Sequence, residues 1–129
     1  MRFFRPLLQV VKVKESTGLY GVPVHPNPRP HLIALYQRII NTVERLPPTA
    51  AIRQSAESLT RHRLAVVENN EDVATIEREL RAGQIEELIH QAEDELKLIP
   101  QLIKFKPWEP LEEPAPPGQW EYFGRGRSE

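Results

Sequence analysis

The sequence predicts an all-α protein, a small antiparallel helical bundle with extended proline-rich N- and C-terminal arms. Three observations carry this expectation. All thirteen prolines of the 129-residue chain lie at or before Pro48 or at or after Pro100, so the middle is free of the residue that helix interiors exclude. That middle is rich in Ala, Leu, Glu, Arg and Gln, which are strong helix formers. Its apolar residues recur at i, i+3, i+4 and i+7, the spacing of one helix face. The extended stretches Val10–Val13 and Val22–Val24 are too short to build a sheet. A chain of this length holds one compact domain, here read as a basic N-terminal arm over 1–29, a bundle over 30–106 and a tail over 107–129.

A first helix is expected from Pro30 to Leu46, because proline is harmless in a first turn. Its stripe is Leu32, Leu35, Tyr36, Ile39, Val43 and Leu46, and Pro47-Pro48 stops it. A second helix opens with Thr49 as N-cap and runs to about Glu68, with Ile52, Ala56, Leu59, Val66 and Val67 on its apolar side. Arg63 falls inside that stripe. Either its stem packs and its head stays in water, or it presents a charge to an acidic neighbour. Asn70-Glu71-Asp72 forms a turn and cap before a short third helix carrying Val73, Ile76 and Leu80, which Gly83 is expected to end in the left-handed conformation. The fourth helix runs from Gln84 to about Phe105 on Ile85, Leu88, Ile89, Ala92, Leu96, Ile99 and Ile103, with Pro100 expected to kink it or end its regular part. Beyond Pro107 proline, tryptophan and acid predict an extended tail.

Charge is uneven. The formal net charge is -1, which argues against a general polyanion binder. Residues 1–14 carry Arg2, Arg5, Lys12 and Lys14 and no acid, a composition that suits an uncleaved or internal mitochondrial address. Residues 29–63 carry six arginines against Glu44 and Glu57, whereas residues 68–95 carry ten acids against Arg78 and Arg81. The two halves either neutralise each other inside the bundle or dock between partners of opposite potential.

The chemistry-bearing patterns are few. With no cysteine, disulfides, thiolate metal sites and a cysteine nucleophile are excluded. Glu87-Leu-Ile-His90 has the Glu-x-x-His spacing of di-iron bundles, but it has no second copy and falls opposite the apolar stripe. No Gly-x-Ser-x-Gly elbow is present, and Gly18-Leu-Tyr-Gly21 and Gly124-Arg-Gly126 lack the phosphate-loop patterns. His25 and His31 lie in or beside the proline-rich arm with no carboxylate suggested nearby, and His62 reads as a surface residue. Tyr36, in the apolar stripe, is the one aromatic among the central arginines, so there is no set of aromatics to stack bases and no nucleic acid is expected. No apolar run spans a bilayer. No cofactor and no catalytic site are expected. Phe105, Trp108, Trp120, Tyr122 and Phe123 give the tail large anchors, which either pack across the bundle or enter a partner.

Several segments, in order, carry a family resemblance. Gly18-Leu-Tyr-Gly21, Val24-His25, Pro28-Arg29, Leu35-Tyr36, Leu46-Pro47, Ala51-Ile52-Arg53 and Arg63-Leu64-Ala65-Val66-Val67 are followed by Gly83-Gln84-Ile85-Glu86-Glu87, Gln91-Ala92-Glu93-Asp94-Glu95-Leu96, Trp108-Glu109-Pro110-Leu111 and Gln119-Trp120. Together, from about Thr17 to Tyr122, they resemble the accessory alpha-subcomplex subunit 5 family (the 13-kDa B subunits) of mitochondrial respiratory complex I. The resemblance implies a helical, non-catalytic subunit at the inner membrane, peripheral and on the matrix side. It would support assembly and stability of the peripheral arm by protein docking. The other complex I subunits would be its partners, especially the core 30-kDa iron–sulfur-arm subunit, and membrane association would come through the complex. On that reading Trp108, Pro110 and Trp120 clamp the tail to a neighbour, and Arg29, Arg53 or Arg63 meets its acidic groups. Pro100, residues 1–14 and Phe123–Glu129 depart from the family pattern. The rival expectations are a free-standing matrix adaptor and a peripheral membrane binder using Phe3, Phe4, Leu7 and Leu8.

Overall fold

The computed structural model describes residues 14–119, and within them the chain forms α1 (Pro28–Val43), α2 (Ala51–Asn69), α3 (Val73–Leu80) and α4 (Ile85–Phe105) with no strand. The predicted all-α class is what the chain adopts. α1 begins at Pro28, so Pro28 and Arg29, expected in the arm, belong to the helix. Residues 14–27 and 107–119 contain only turns, bends and irregular backbone, while the address expected in residues 1–14 lies, except for Lys14, outside the described residues.

The apolar stripe of α1 is the centre of the molecule. Leu32, Leu35, Tyr36, Ile39 and Val43 are all buried, and so is Leu46 just beyond the helix. Both α2 and α4 pack on α1, while α3 bridges α2 and α4 at one end. α2 returns antiparallel to α1, since Arg29 at the start of α1 reaches Val67 at the end of α2. α4 starts at the end of the bundle where α2 finishes, its Ile85 N–H donating to Glu77 of α3 (2.9 Å). It so runs back alongside α1 in the same direction, passing Arg63 at Gln91 and His31 at Glu93. Ile85, Leu88, Ile89, Ala92 and Ile99 supply the α4 side of the core, and Val67 and Ile76 complete it.

Several helix ends differ from the expectation. α1 ends at Val43 rather than Leu46, and its last carbonyls tighten into i→i+3 bonds from Arg45 N–H to Thr42 (3.2 Å) and Leu46 N–H to Val43 (2.9 Å). Thr49 is not the cap of α2. The helix begins one residue later with Ala50 at the N-cap and no side-chain cap. The left-handed residue ending α3 is Arg81 (φ 50°), whose N–H donates to Glu77 O at 3.0 Å, and not Gly83. Asp72 does cap α3, accepting from Thr75 N–H at 3.2 Å. The Thr75 hydroxyl and backbone hydrogen bonds hold its carboxyl below the usual range.

Gly83 has a different duty. Its φ is +93°, and a Cβ there would collide with the Glu87 carboxylate that accepts the Gln84 N–H at 2.7 Å. Glycine leaves room for that carboxylate to reach back over the start of α4, the returning half of a capping box.

Pro100 does not end α4, which continues to Phe105. Proline removes the N–H that would bond the Leu96 carbonyl. Burial of Ile99, with Leu102, Ile103 and Trp108 packed around the core, offsets that loss. Pro100 is exposed, so Pro100→Ala restores the bond without disturbing the core. It is expected to raise stability by about 1–3 kcal/mol, read as a higher thermal midpoint. Leu32→Ala is expected to lower stability by about 2–5 kcal/mol in chemical denaturation, since Leu32 is wholly buried where α1 meets its neighbours.

Candidate functional site

The expected contact residues do not gather into one patch. Two of the three arginines serve the chain's own helix ends. Arg29, in the first turn of α1, donates from Nε to Val67 O (3.0 Å) and Asn70 O (2.9 Å) and from Nη2 to Glu68 O (3.1 Å). Arg53, in the first turn of α2, donates from Nη1 to Leu46 O (2.6 Å) and Glu44 O (3.3 Å). Each places a cation on the carbonyl-rich end of the preceding or following helix, where the dipole favours it. Trp108 is half-buried against the core, Pro110 is exposed, and Trp120 lies outside the described residues.

Arg63 is different. Among the described residues its one side-chain hydrogen bond is a 3.3 Å contact from Nη1 to Gln91 Oε1 on α4, and its stem lines a groove of about 570 Å³. Because α2 and α4 both lean on α1 and barely meet each other, a trough is left between them. Tyr36 and Ile39 of α1 form its floor. Ala56, Leu59, Thr60 and Arg63 form one wall, and Gln91, Ala92, Asp94, Glu95 and Leu98 form the other. Leu59, which its spacing assigns to the core, is instead 51% exposed, and Leu98 opposite is 44% exposed. The Tyr36 hydroxyl is buried on the floor without a hydrogen-bond partner. Burial pushes this phenol above its ordinary pKa, and the adjacent Arg63 guanidinium only partly opposes that shift.

Among the described residues no arginine ion pair joins the basic half to the acidic one. Among the described residues the α2 arginines pair only with Glu57 on their own helix, Arg53 at 3.7 Å and Arg61 more closely. No α2 arginine forms an ion pair with an acid of α3 or α4 among those residues.

A polar cluster at the other end of α4 was invisible in the sequence. Lys14 Nζ donates to Glu77 Oε1 (2.5 Å), Glu86 Oε2 (3.1 Å) and Gln84 Oε1 (3.4 Å). Glu77 Oε1 also accepts the Ile85 N–H at 2.9 Å, and Gln84 Nε2 donates to Thr17 O at 2.6 Å. Glu86 is 3% exposed, so Lys14 compensates a buried carboxylate. No local pattern could have shown this, because the acids follow Lys14 by 63 and 72 residues.

No catalytic grouping emerges from the histidines. His25 and His31 stack with centroids 4.9 Å apart. Contrary to the expectation that no carboxylate is near them, Glu93 lies 3.7 Å from both His31 Nε2 and His90 Nδ1. Both histidines are about half exposed on the outer face. Among the described residues no set of three or more His, Asp or Glu is placed to hold a metal, and no helix is long and apolar enough to cross a membrane.

The family model described as ETC complex I subunit conserved region matches residues 21–87, the stretch holding α1 to α3 and the start of α4. A Candida albicans protein, NADH dehydrogenase [ubiquinone] 1 alpha subcomplex subunit MCI4, is 44% identical over 97% of this chain and 99% of its own length. The Bos taurus alpha subcomplex subunit 5 is 42% identical over 85% of this chain and 95% of its own length. The chain belongs to the complex I alpha subcomplex subunit 5 family. An Arabidopsis thaliana relative, named as a probable mitochondrial subunit 5, is 45% identical over 81% of this chain and 60% of its own length. Membership agrees with the expectation of a non-catalytic subunit, and it turns attention from chemistry to surfaces.

Two outcomes follow. Burial lowers the Lys14 pKa, but its hydrogen bonds and charge contacts with Glu77 and Glu86 outweigh that and raise it overall. A raised lysine contributes stability that is complete below its unfolded pKa and is lost as pH climbs through the folded one. Lys14→Met should therefore lower stability by about 1–2 kcal/mol at neutral pH, allowing for partial exposure, and remove the alkaline fall in stability above pH 10.5. Tyr36→Phe should leave the stability of the free chain unchanged or raise it by up to about 1 kcal/mol, because the hydroxyl it deletes is buried and unpaired.

Proposed function

We propose that this chain is a non-catalytic accessory subunit of the mitochondrial NADH:ubiquinone oxidoreductase. It lies on the matrix side of the inner membrane, held there through the complex, and supports assembly and stability of the peripheral arm by docking to neighbouring subunits. The core 30-kDa subunit is the first partner on this reading. The observation that carries it is the collinear match over nearly the whole chain to a relative named as an alpha subcomplex subunit. The described surface suits such a role, with arginines on α2 and acids on α4 left free of each other and an apolar trough between them. Trp108 and Pro110, with Trp120 further along the tail, are proposed as a second contact. Arg29 and Arg53 contribute through the edges of guanidiniums that already hold the helix ends.

Native electrophoresis of gently solubilised mitochondria, probed for this chain and stained in the gel for NADH dehydrogenase activity, tests the reading. Co-migration with the active high-mass band is expected, together with reduced assembled peripheral arm when the chain is depleted. Migration at low mass, while the enzyme itself stays intact, overturns it in favour of a free adaptor.

A further inference from the structure

The trough between α2 and α4 has the shape of a missing bundle position. Three of its sides are present: α1 below, with α2 and α4 beside it. Helices pack at roughly 8–10 Å between axes, so two helices that share a third as floor and barely touch each other leave a seat for one more. From Ala56 to Arg63 on one wall and from Gln91 to Leu98 on the other, the seat is about two helical turns long, roughly 10 Å at 1.5 Å per residue.

Its lining specifies what would sit there. Its accessible apolar surface comes from two half-exposed leucines, Leu59 on one wall and Leu98 on the other, standing over the buried Ile39 and Ala92. At one end two hydrogen-bond donors converge. The Arg63 guanidinium is held only by a long bond to the neutral Gln91, and beside it the Tyr36 hydroxyl is buried without an acceptor. Two unspent donors fit a carboxylate. On the opposite wall Asp94 and Glu95 are available to a cation. Asp94 reaches only Lys97 of its own helix, 3.0 Å away and 75% exposed, and Glu95 forms no ion pair among the described residues.

We propose that this trough receives an amphipathic helix from a neighbouring subunit. That helix carries apolar residues at i, i+3/i+4 and i+7, a carboxylate on the side facing Arg63 and Tyr36, and a lysine or arginine on the side facing Asp94 and Glu95. The inference rests on the reading of the chain as a subunit of a larger assembly, and it names the surface and the chemistry of one contact in that assembly. The polarity of the two walls admits the helix in one rotational setting, because turning it over would set carboxylate against carboxylate.

The test places a photo-crosslinking amino acid at Leu59 or at Leu98 in the chain carried by intact mitochondria. The assembled enzyme is irradiated, isolated on a native gel and mapped by mass spectrometry. Both positions are expected to label one helix of one neighbouring subunit, on residues three, four or seven apart. Arg63→Glu should lower the yield about tenfold, Arg63→Lys should retain part of it, and Arg38→Glu on exposed α1 surface should leave it unchanged. Labelling of this chain's own ends, of a second copy, of lipid, or of nothing within the assembled enzyme overturns the proposed occupant while leaving subunit membership intact. Absence of the chain from the high-mass band removes both readings, so the two failures are distinguishable.

Discussion

Everything in the bundle depends on the apolar stripe of α1. Its residues Leu32, Leu35, Tyr36, Ile39 and Val43 are buried because neighbours lie on both flanks, α2 on one and α4 on the other. A stripe served from two sides must be wide, and the 3.6-residue repeat supplies the width by placing Leu35 and Tyr36 next to each other at its middle. The arrangement also explains the direction of α4. α3 is only eight residues long and lies across the end of the bundle, so the chain turns once more before α4 starts. α4 therefore descends alongside α1, antiparallel to α2.

Antiparallel succession has an electrostatic consequence that the arginines meet. The last carbonyls of one helix lie beside the first turn of its neighbour, and a cation in that first turn can hydrogen-bond them. Arg29 does this for α2 and Arg53 for α1, donating to carbonyls at helix C-termini, while the helix starts at Asn27 and Ala50 carry no side-chain cap. Lys14 performs a related task at the start of α4, where the carboxylates of Glu77 and Glu86 gather. In each case one side chain joins two segments distant in sequence, so the ends of the bundle are fastened by long-range polar bonds while its middle is held by apolar contact. Removing one such cation leaves carbonyls or a buried carboxylate without a partner, a larger loss than the absence of a surface ion pair.

The stripes of α1 and α4 were legible in the sequence because they face other helices along their whole length, and burial then follows from spacing alone. Leu59 was not, for the same reason inverted: periodicity says which face a residue occupies, and only the fold says whether anything covers that face. Thr49 has the right chemistry for an N-cap, but α2 starts at Ala51 with Ala50 in the capping position, which leaves Thr49 one residue outside it. Gly83 was read by its freedom to adopt positive φ, whereas its missing Cβ matters because the Glu87 carboxylate occupies that space. The ordered family segments pointed to the family, and among the described residues several hold helix ends or core positions, as Arg29, Arg53, Gln84 and Ile85 do. The contact residues were harder. An arginine at a helix start looks the same in sequence whether it caps a neighbour or greets a partner, so the sequence did not show that Arg29 and Arg53 hold helix ends.

That distinction bears on how a chain with a net charge of -1 can bind tightly to others. Had the arginines of α2 paired with the acids of α4, closing the trough, the molecule would be a self-satisfied bundle with an evenly neutral surface. Instead Arg53 and Arg61 are turned along their own helix toward Glu57, and Arg63 reaches across only as far as an uncharged amide. The two walls thus keep opposite potentials over an apolar floor. A charged rim around a desolvated centre favours one partner orientation strongly while adding little to affinity by itself. For the proposed helix, the half-exposed Leu59 and Leu98 would supply the apolar contact and the charged rim would reject the wrong partner. A small subunit that must find one place in a large assembly needs the second property as much as the first, and on the proposed docking the incomplete contact between α2 and α4 would provide both.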